Sequence, residues 1–309
     1  MGLVNTKKMF EDAYNGHYSV GAFNVDSIAM CQAVLQAAQE LNSPVIISIS
    51  KGSREFMHPG NIKDMIDIIS KDISIPFAIH LDHGKSVEIC KDVIDEGFSS
   101  VMIDAGAYDF EKAIEITKEV VKYAHERNVT VEGELGPVKE IQGQDERYYK
   151  FTNPELAERF VKETGVDSLA VSVGTGHGTH KFENKEKASL QYDIIEMIQE
   201  RLPGFPLVLH GSSSIPEKYI NIFNDFGGNI KDTVGVPEKL LAKASQMAIC
   251  KINIGTDFRV AYVGGLRKSL TEIKDRYEPR NFLVPAKQNA YELVKDKIKN
   301  VFLSYNKAR

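Results

Sequence analysis

Residues 75–104, IPFAIHLDHGKSVEICKDVIDEGFSSVMID, hold one complete structural unit. The unit opens on the apolar run 75–80 (IPFAIH), crosses a helical pattern at 85–96, and returns to an apolar run at 99–104 (SSVMID). Runs that are apolar throughout, without alternation, suit parallel strands buried on both faces. Similar runs lie at 19–24, 44–50, 129–134, 167–173, 206–210 and 248–254. Amphipathic stretches fall between the runs, at 26–41, 61–71, 85–96, 109–127, 153–164 and 216–226. Eight strands alternating with helices predict an α/β protein, a (β/α)8 barrel of the TIM type; an open doubly wound sheet is the rival, and the count of eight favours the barrel. Beyond the last strand, 257–275 and 286–305 read as helices, the second an added C-terminal arm. No linker, repeat or low-complexity tract interrupts the chain, so 1–309 reads as a single domain.

Bulk composition narrows the function. Hydrophobic residues make up 42% and charged residues 26% of 309, the profile of a globular chain. The net charge of -5 and the lack of a basic stripe argue against nucleic acid as a partner. No apolar stretch approaches the ~20 residues needed to span a bilayer, and the start, MGLVNTKKMF, lacks a signal-peptide core, so no membrane association is expected. Cys31, Cys90 and Cys250 lack Cys-x-x-Cys spacing and sit in apolar contexts, which suits reduced thiols in a cytoplasmic protein.

Barrel enzymes carry their chemistry at the carboxyl ends of the strands. His80, Asp82 and His83 close the third run, Asp104 the fourth, Glu132 and Glu134 the fifth. His177 follows the sixth, His210 ends the seventh, and Asn253 ends the eighth. Imidazoles from different strands can converge on a metal and leave a position open for substrate. A single buried histidine is more often a core residue bonded to a carbonyl; several at neighbouring strand ends beside Asp82 favour the metal. His80 looks out of phase and is expected to bond a metal ligand instead of the metal. Around the same rim, GTGHG (174–178), HGSSSIP (210–216) and NIGTD (253–257) offer backbone amides and hydroxyls suited to a phosphate. Residues 136–152, polar and with two glycines, read as a mobile active-site loop.

These motifs resemble the class II, metal-dependent ketose-bisphosphate aldolases, in the shorter form typified by fructose-1,6-bisphosphate aldolase. The resemblance runs nearly end to end, through GAFN (21–24), HLDHG (80–84), GFSSVMIDA (97–105), VEGELG (131–136), GTGHG (174–178), LHGSSSIP (209–216), KINIGTD (251–257) and EPRNFLVPA (278–286). The resemblance implies reversible cleavage of fructose 1,6-bisphosphate to dihydroxyacetone phosphate and glyceraldehyde 3-phosphate. It implies His83, His177 and His210 as ligands of Zn2+, which other divalent ions replace in some members, with Na+ or K+ often assisting. Asp82 is then the proton donor to the aldehyde oxygen, and Asp104 and Glu134 match a second metal position. Gly178, Gly211, Ser213, Asn253 and Thr256 match the dihydroxyacetone-phosphate site, with Lys181 near that phosphate, and Ser212 and Gly255 are further substrate-binding candidates. Ser50, Arg259 and Arg280 match the region receiving glyceraldehyde 3-phosphate. The family forms homodimers and homotetramers.

The chain departs from the family pattern in four places. Gly106, Ala107 and Tyr108 replace the usual Ser-His after MIDA, and Lys85 replaces Ser or Thr after HLDHG. Gln142 stands near the loop glutamate that transfers a proton, leaving Glu140 as the assigned catalytic carboxylate and Asp145 or Glu146 as alternatives. Gly255 stands where fructose-specific members often have Asp, so a tagatose-1,6-bisphosphate or other ketose-phosphate aldolase is the first alternative. Metal-dependent epimerases, a Schiff-base aldolase using Lys251, and a non-catalytic sugar-phosphate binder are the others. Lys251 is expected to point outward from its strand.

Overall fold

The computed structural model describes residues 2–138, 145–175, 188–231 and 235–308. Eight parallel strands close into a barrel: β2 (Val20–Asn24), β3 (Val45–Ser50), β4 (Pro76–Gly84), β5 (Ser100–Ile103), β6 (Thr130–Leu135), β7 (Ser168–Val171), β8 (Leu207–Leu209) and β9 (Ile249–Ile254). Each pairs with the next, and β9 returns to β2 in the register Ala22↔Asn253. The expected barrel is present, with every strand overlapping the run read for it. A short extra strand, β1 (Gly2–Leu3), pairs with β4 at Pro76 and Phe77, ahead of the point where β5 joins at His80.

The barrel helices start where side chains can satisfy the first free amides. The Ser27 side chain accepts from the Met30 amide at the head of α2 (Ile28–Glu40), and Ser86 does the same from Ile89 for α5 (Val87–Asp95). Asp109 caps α6 (Phe110–His125); Asn153, followed by Pro154, caps α7 (Pro154–Thr164). Their buried faces carry Val34, Leu35, Cys90, Val93, Val120 and Phe160 onto the outer wall of the barrel. Further helices that the periodicity did not reveal are α1 (Thr6–Gly16), α3 (Lys51–Met57), α8 (Tyr192–Arg201) and α10 (Glu238–Ser245). The expected helices at 61–71 and 216–226 are α4 (Ile62–Ile69) and α9 (Glu217–Asp225). The C-terminal arm is α11 (Thr256–Glu272) packed on α12 (Arg280–Lys297), which starts earlier than expected and runs through Pro285.

The barrel interior is layered, which follows from strands presenting every second residue inward. At one end, Met9, Phe10 and Ala13 of α1 join Val20, Ala22, Ile46 and Ala78 in one apolar cluster. Above it lies a buried polar layer of Ser48, His80, Ser100, Glu132 and Lys251. The carboxyl ends of the strands then carry Asn24, Asp82, His210 and Asn253 around the mouth. Among the described residues no helix is long and apolar enough to cross a membrane. All three cysteines are free and buried.

Candidate active site

Asp82 and His83 are neighbours on β4, and a regular strand would point them to opposite faces. The chain breaks the alternation. The pairing of β4 with β5 shifts register between Leu81 and Gly84, and His83 takes a left-handed backbone with φ 53°. Such a conformation costs a non-glycine residue about 1–3 kcal/mol and concentrates at functional sites. Gly84 makes the turn feasible, since a Cβ there would lie 2.6 Å from the Met102 carbonyl oxygen. The outcome is that both side chains reach the barrel mouth.

There they meet His210. A ligand atom from each of Asp82, His83 and His210 lies within 4.8 Å of the others. Asp82 Oδ1 stands 4.0 Å from His83 Nε2 and 4.0 Å from His210 Nδ1. The far side of each ring is held by a carboxylate. His210 Nε2 donates to Glu132 Oε1 at 2.6 Å, and His83 Nδ1 donates to Asp104 Oδ2 at 3.0 Å. Carboxylates behind histidines fix the tautomer and ring orientation of metal ligands. Here they leave His210 Nδ1 and His83 Nε2 facing Asp82. These donors fit a divalent ion of the zinc type, which binds imidazole and carboxylate. His83, Asp104 and Glu134 form a second group of the same tightness, so the residues expected around a second metal position do come together. The Lys85 ammonium contacts the Asp104 carboxylate.

Asp82 accepts from Asn24 Nδ2 at 2.7 Å and from Asn253 Nδ2 at 3.0 Å. Burial pushes its carboxyl up, but His210, His83, Lys251 and the Asn24 bond outweigh burial, so it lies below the ordinary range. Burial pulls the His83 imidazole down, and the Asp104 bond with nearby carboxylates raises it further, for a net rise. Burial and the neighbouring Asp104 hold the Glu134 carboxyl high, and its Oε2 has no hydrogen-bond partner.

Lys251 corrects the sequence reading. It points into the barrel, is 0% exposed, and its Nζ lies 2.6 Å from Glu132 Oε2 and 3.1 Å from His80 Nε2. The uninterrupted apolar run gave no phase from which to tell inside from outside. His80 stands one step further from the metal ligands than expected. Its Nδ1 donates to Ser100 Oγ at 2.8 Å, and it faces His210 across Glu132, whose Oε2 lies 3.7 Å from His80 Nε2 and is bonded by Lys251. Burial and then Lys251 push His80 down to about 3, so the ring is neutral. Lys251 is therefore tied up in an ion pair below the mouth and does not line the cavity, which removes it as the lysine of a Schiff-base mechanism.

A cavity of ≈170 Å³ opens over these groups, and it is lined by Ser50, Gly211, Ser212, Ser213, Asn253, Gly255, Thr256 and Arg259 with Asn24, Asp82, His83 and His210. All eight of the first set were read from sequence. The Asn253 Oδ1 is buried without a partner. Arg259 is held by Asp26 at 2.6 and 3.0 Å, and Asp26 also accepts from Ser53 at 2.6 Å. The structure does not bring Arg280 to the cavity: it starts α12, is 82% exposed and pairs with Glu278 at 2.7 Å. Asn24, Asp26 and Glu132 were not assigned roles from sequence, although Asn24 sits at a strand end and was open to the same logic. Glu140, His177, Gly178 and Lys181 lie outside the described residues, as do 139–144 of the expected covering loop.

Comparison with known proteins agrees with this geometry. The family model "Fructose-bisphosphate aldolase class-II" matches residues 4–307. A fructose-bisphosphate aldolase of Treponema pallidum is 40% identical, the alignment covering 100% of this chain and 98% of that protein. One from Giardia intestinalis is 40% identical over 97% of this chain and 93% of that protein. The crystal structure of the YdjI aldolase from Escherichia coli K12 superposes with a TM-score of 0.81 at 31% identity, covering 99% of this chain and 100% of that one. A closed barrel, paired histidines backed by carboxylates and full-length matches converge: the chain belongs to the class II fructose-bisphosphate aldolase family, which is metal-dependent.

Proposed function

We propose that this chain cleaves fructose 1,6-bisphosphate reversibly to dihydroxyacetone phosphate and glyceraldehyde 3-phosphate, with Zn2+ as its metal, as a cytoplasmic enzyme. The observation that carries the proposal is the convergence of Asp82, His83 and His210 beside the turns at 211–213 and 255–256. His83 and His210 would hold the ion, and His177 is assigned the third position by its motif. The ion would supply a Lewis acid at the ketose carbonyl and its adjacent hydroxyl.

The remaining chemistry belongs to the protein. In cleavage, Asp82 takes the proton from the C4 hydroxyl; its depressed carboxyl and two amide donors keep it ionised for that step. The C4 oxygen electrons form the aldehyde as the C3–C4 bond breaks, leaving an enediolate. Glu140 is assigned the return of a proton to C3, completing dihydroxyacetone phosphate. Asn253 Oδ1, buried and without a partner, suits a substrate hydroxyl. Gly211, Ser212, Ser213, Thr256, Gly178 and Lys181 are assigned to the ketone-side phosphate, and Ser50 and Arg259 to the aldehyde side. The Lys85 ammonium on Asp104 sets a positive charge beside a carboxylate assigned to the second metal position, and Na+ or K+ is a further candidate cofactor.

A coupled triose assay on several ketose bisphosphates, with and without chelator, tests this reading. Release of trioses that stops with chelator supports it. Formation of an epimer with no triose would move the chain to an epimerase, and binding without turnover would make it a sugar-phosphate binder.

A further inference from the structure

Beneath the two turns assigned to the ketone-side phosphate lies a buried ionic cluster that no step above uses. Lys297, near the end of α12, and Asp257, in the first turn of α11, are both 0% exposed and lie 2.7 Å apart. The Lys297 ammonium also donates to the Ser214 carbonyl at 3.0 Å, to the Ser214 hydroxyl at 2.8 Å and to Glu238 at 2.8 Å. Both Asp257 oxygens accept from the Ser214 amide at 3.0 Å. Ser214 follows Ser213, and Asp257 follows Thr256, so one ammonium from the C-terminal arm ties the ends of both turns together. The first turn is also pinned from its other side. Val236 donates its amide to the Ser213 carbonyl at 2.9 Å, and Gly235 approaches so closely that a Cβ would lie 2.4 Å from that oxygen.

Stability alone does not account for such a cluster. Apolar residues of similar volume often replace buried ion pairs at no loss, whereas removing one partner is costly. A charge at this place has a specific electrostatic consequence. A substrate phosphate at Ser213 and Thr256 would sit next in sequence to the Asp257 carboxylate, and like charges at short range in a poorly solvated site repel strongly. Lys297 stands against that carboxylate.

We propose that Lys297 is a positioning residue for the substrate phosphate. It offsets the Asp257 charge, sharing its own with the more exposed Glu238, and holds the turns at 211–214 and 255–257 in one register, an inference that rests on the assignment of those turns to the phosphate. The test uses zinc-loaded Lys297→Met and reads the competitive inhibition constant of inorganic phosphate, KM, kcat and zinc content. The inhibition constant and KM should rise about tenfold or more, with kcat and zinc content near wild type. Adding Asp257→Asn to Lys297→Met removes the unpaired carboxylate and should restore most of the phosphate affinity. Should Lys297→Met fail to fold, Glu238→Gln serves. It leaves Lys297 less neutralised, so phosphate should bind as well or more tightly. Weaker phosphate binding in Glu238→Gln, or unchanged phosphate inhibition in a folded Lys297→Met, overturns the proposal. Ser213→Ala is the control. If it weakens phosphate while Lys297→Met does not, only the role of Lys297 falls. If neither changes phosphate binding, the assignment of the turns falls with it.

Discussion

The two sides of the cavity are built differently. On the metal side, each reacting group is held from behind: His210 by Glu132, His83 by Asp104, and Asp82 by Asn24 and Asn253. Glu132 is itself held by the fully buried Lys251. On the aldehyde side, Gly255 brings no side chain, Arg259 is engaged by Asp26, and Arg280 is exposed on the helical arm. Groups locked by buried charge can keep a geometry to within the tolerance that catalysis requires. The metal side is therefore expected to specify the reaction, and the aldehyde side, with no side chain at Gly255, to leave the choice of sugar loosely specified.

Breaking the metal side should give the larger effects. Asp82→Ala should cost about two to four orders of magnitude in cleavage, the usual scale for a proton-transfer group. The variant should retain metal and bind dihydroxyacetone phosphate. A loss under about threefold would reduce Asp82 to a group that orients His83. Glu140→Ala should slow exchange of the C3 proton of dihydroxyacetone phosphate by about a hundredfold, at the low end of the same range, with metal content unchanged. If Glu146→Ala slows it instead, the assignment passes to Glu146. Glu132→Gln keeps shape but weakens the support of His210, so zinc affinity should fall about 10–100-fold, as measured by competition with a chelator. Unchanged affinity would mean that the Glu132 bond does not orient the ring for metal.

The aldehyde side should respond more mildly. Fructose and tagatose 1,6-bisphosphates differ at C4, and without a side chain at Gly255 their kcat/KM values should lie within about a hundredfold, or roughly 2.7 kcal/mol. Gly255→Asp should widen the gap toward fructose. Its Cβ would come 3.1 Å from Asn24 Oδ1, so Asn24 must give way slightly. A wild-type preference for fructose above about ten-thousandfold would show that other residues choose the sugar.

The barrel was legible because buried parallel strands read as unbroken apolar runs, and the site because polar residues at the ends of such runs stand out. The same property hid the rest. An unbroken run has no phase, so the sequence alone puts Lys251 in β9 outward and His80 in β4 out of step, although His80 and Asp82 share a face. Strand β4 extends to Gly84, past the run read for it, because its final residues are those of the site. The partners that hold the histidines come from strands distant in sequence, as Glu132 to His210 does, and no local pattern announces them. Arg280 was read near the site by family resemblance, and its placement depends on how the C-terminal arm packs.

The most direct test of metal-dependent cleavage is fructose 1,6-bisphosphate turnover by wild-type protein dialysed against a chelator and then titrated with Zn2+. Activity should vanish on dialysis and return in proportion to added zinc, reaching a plateau near about one ion per chain. Full activity in the metal-free protein, or a lysine adduct trapped by borohydride in the presence of substrate, would contradict it.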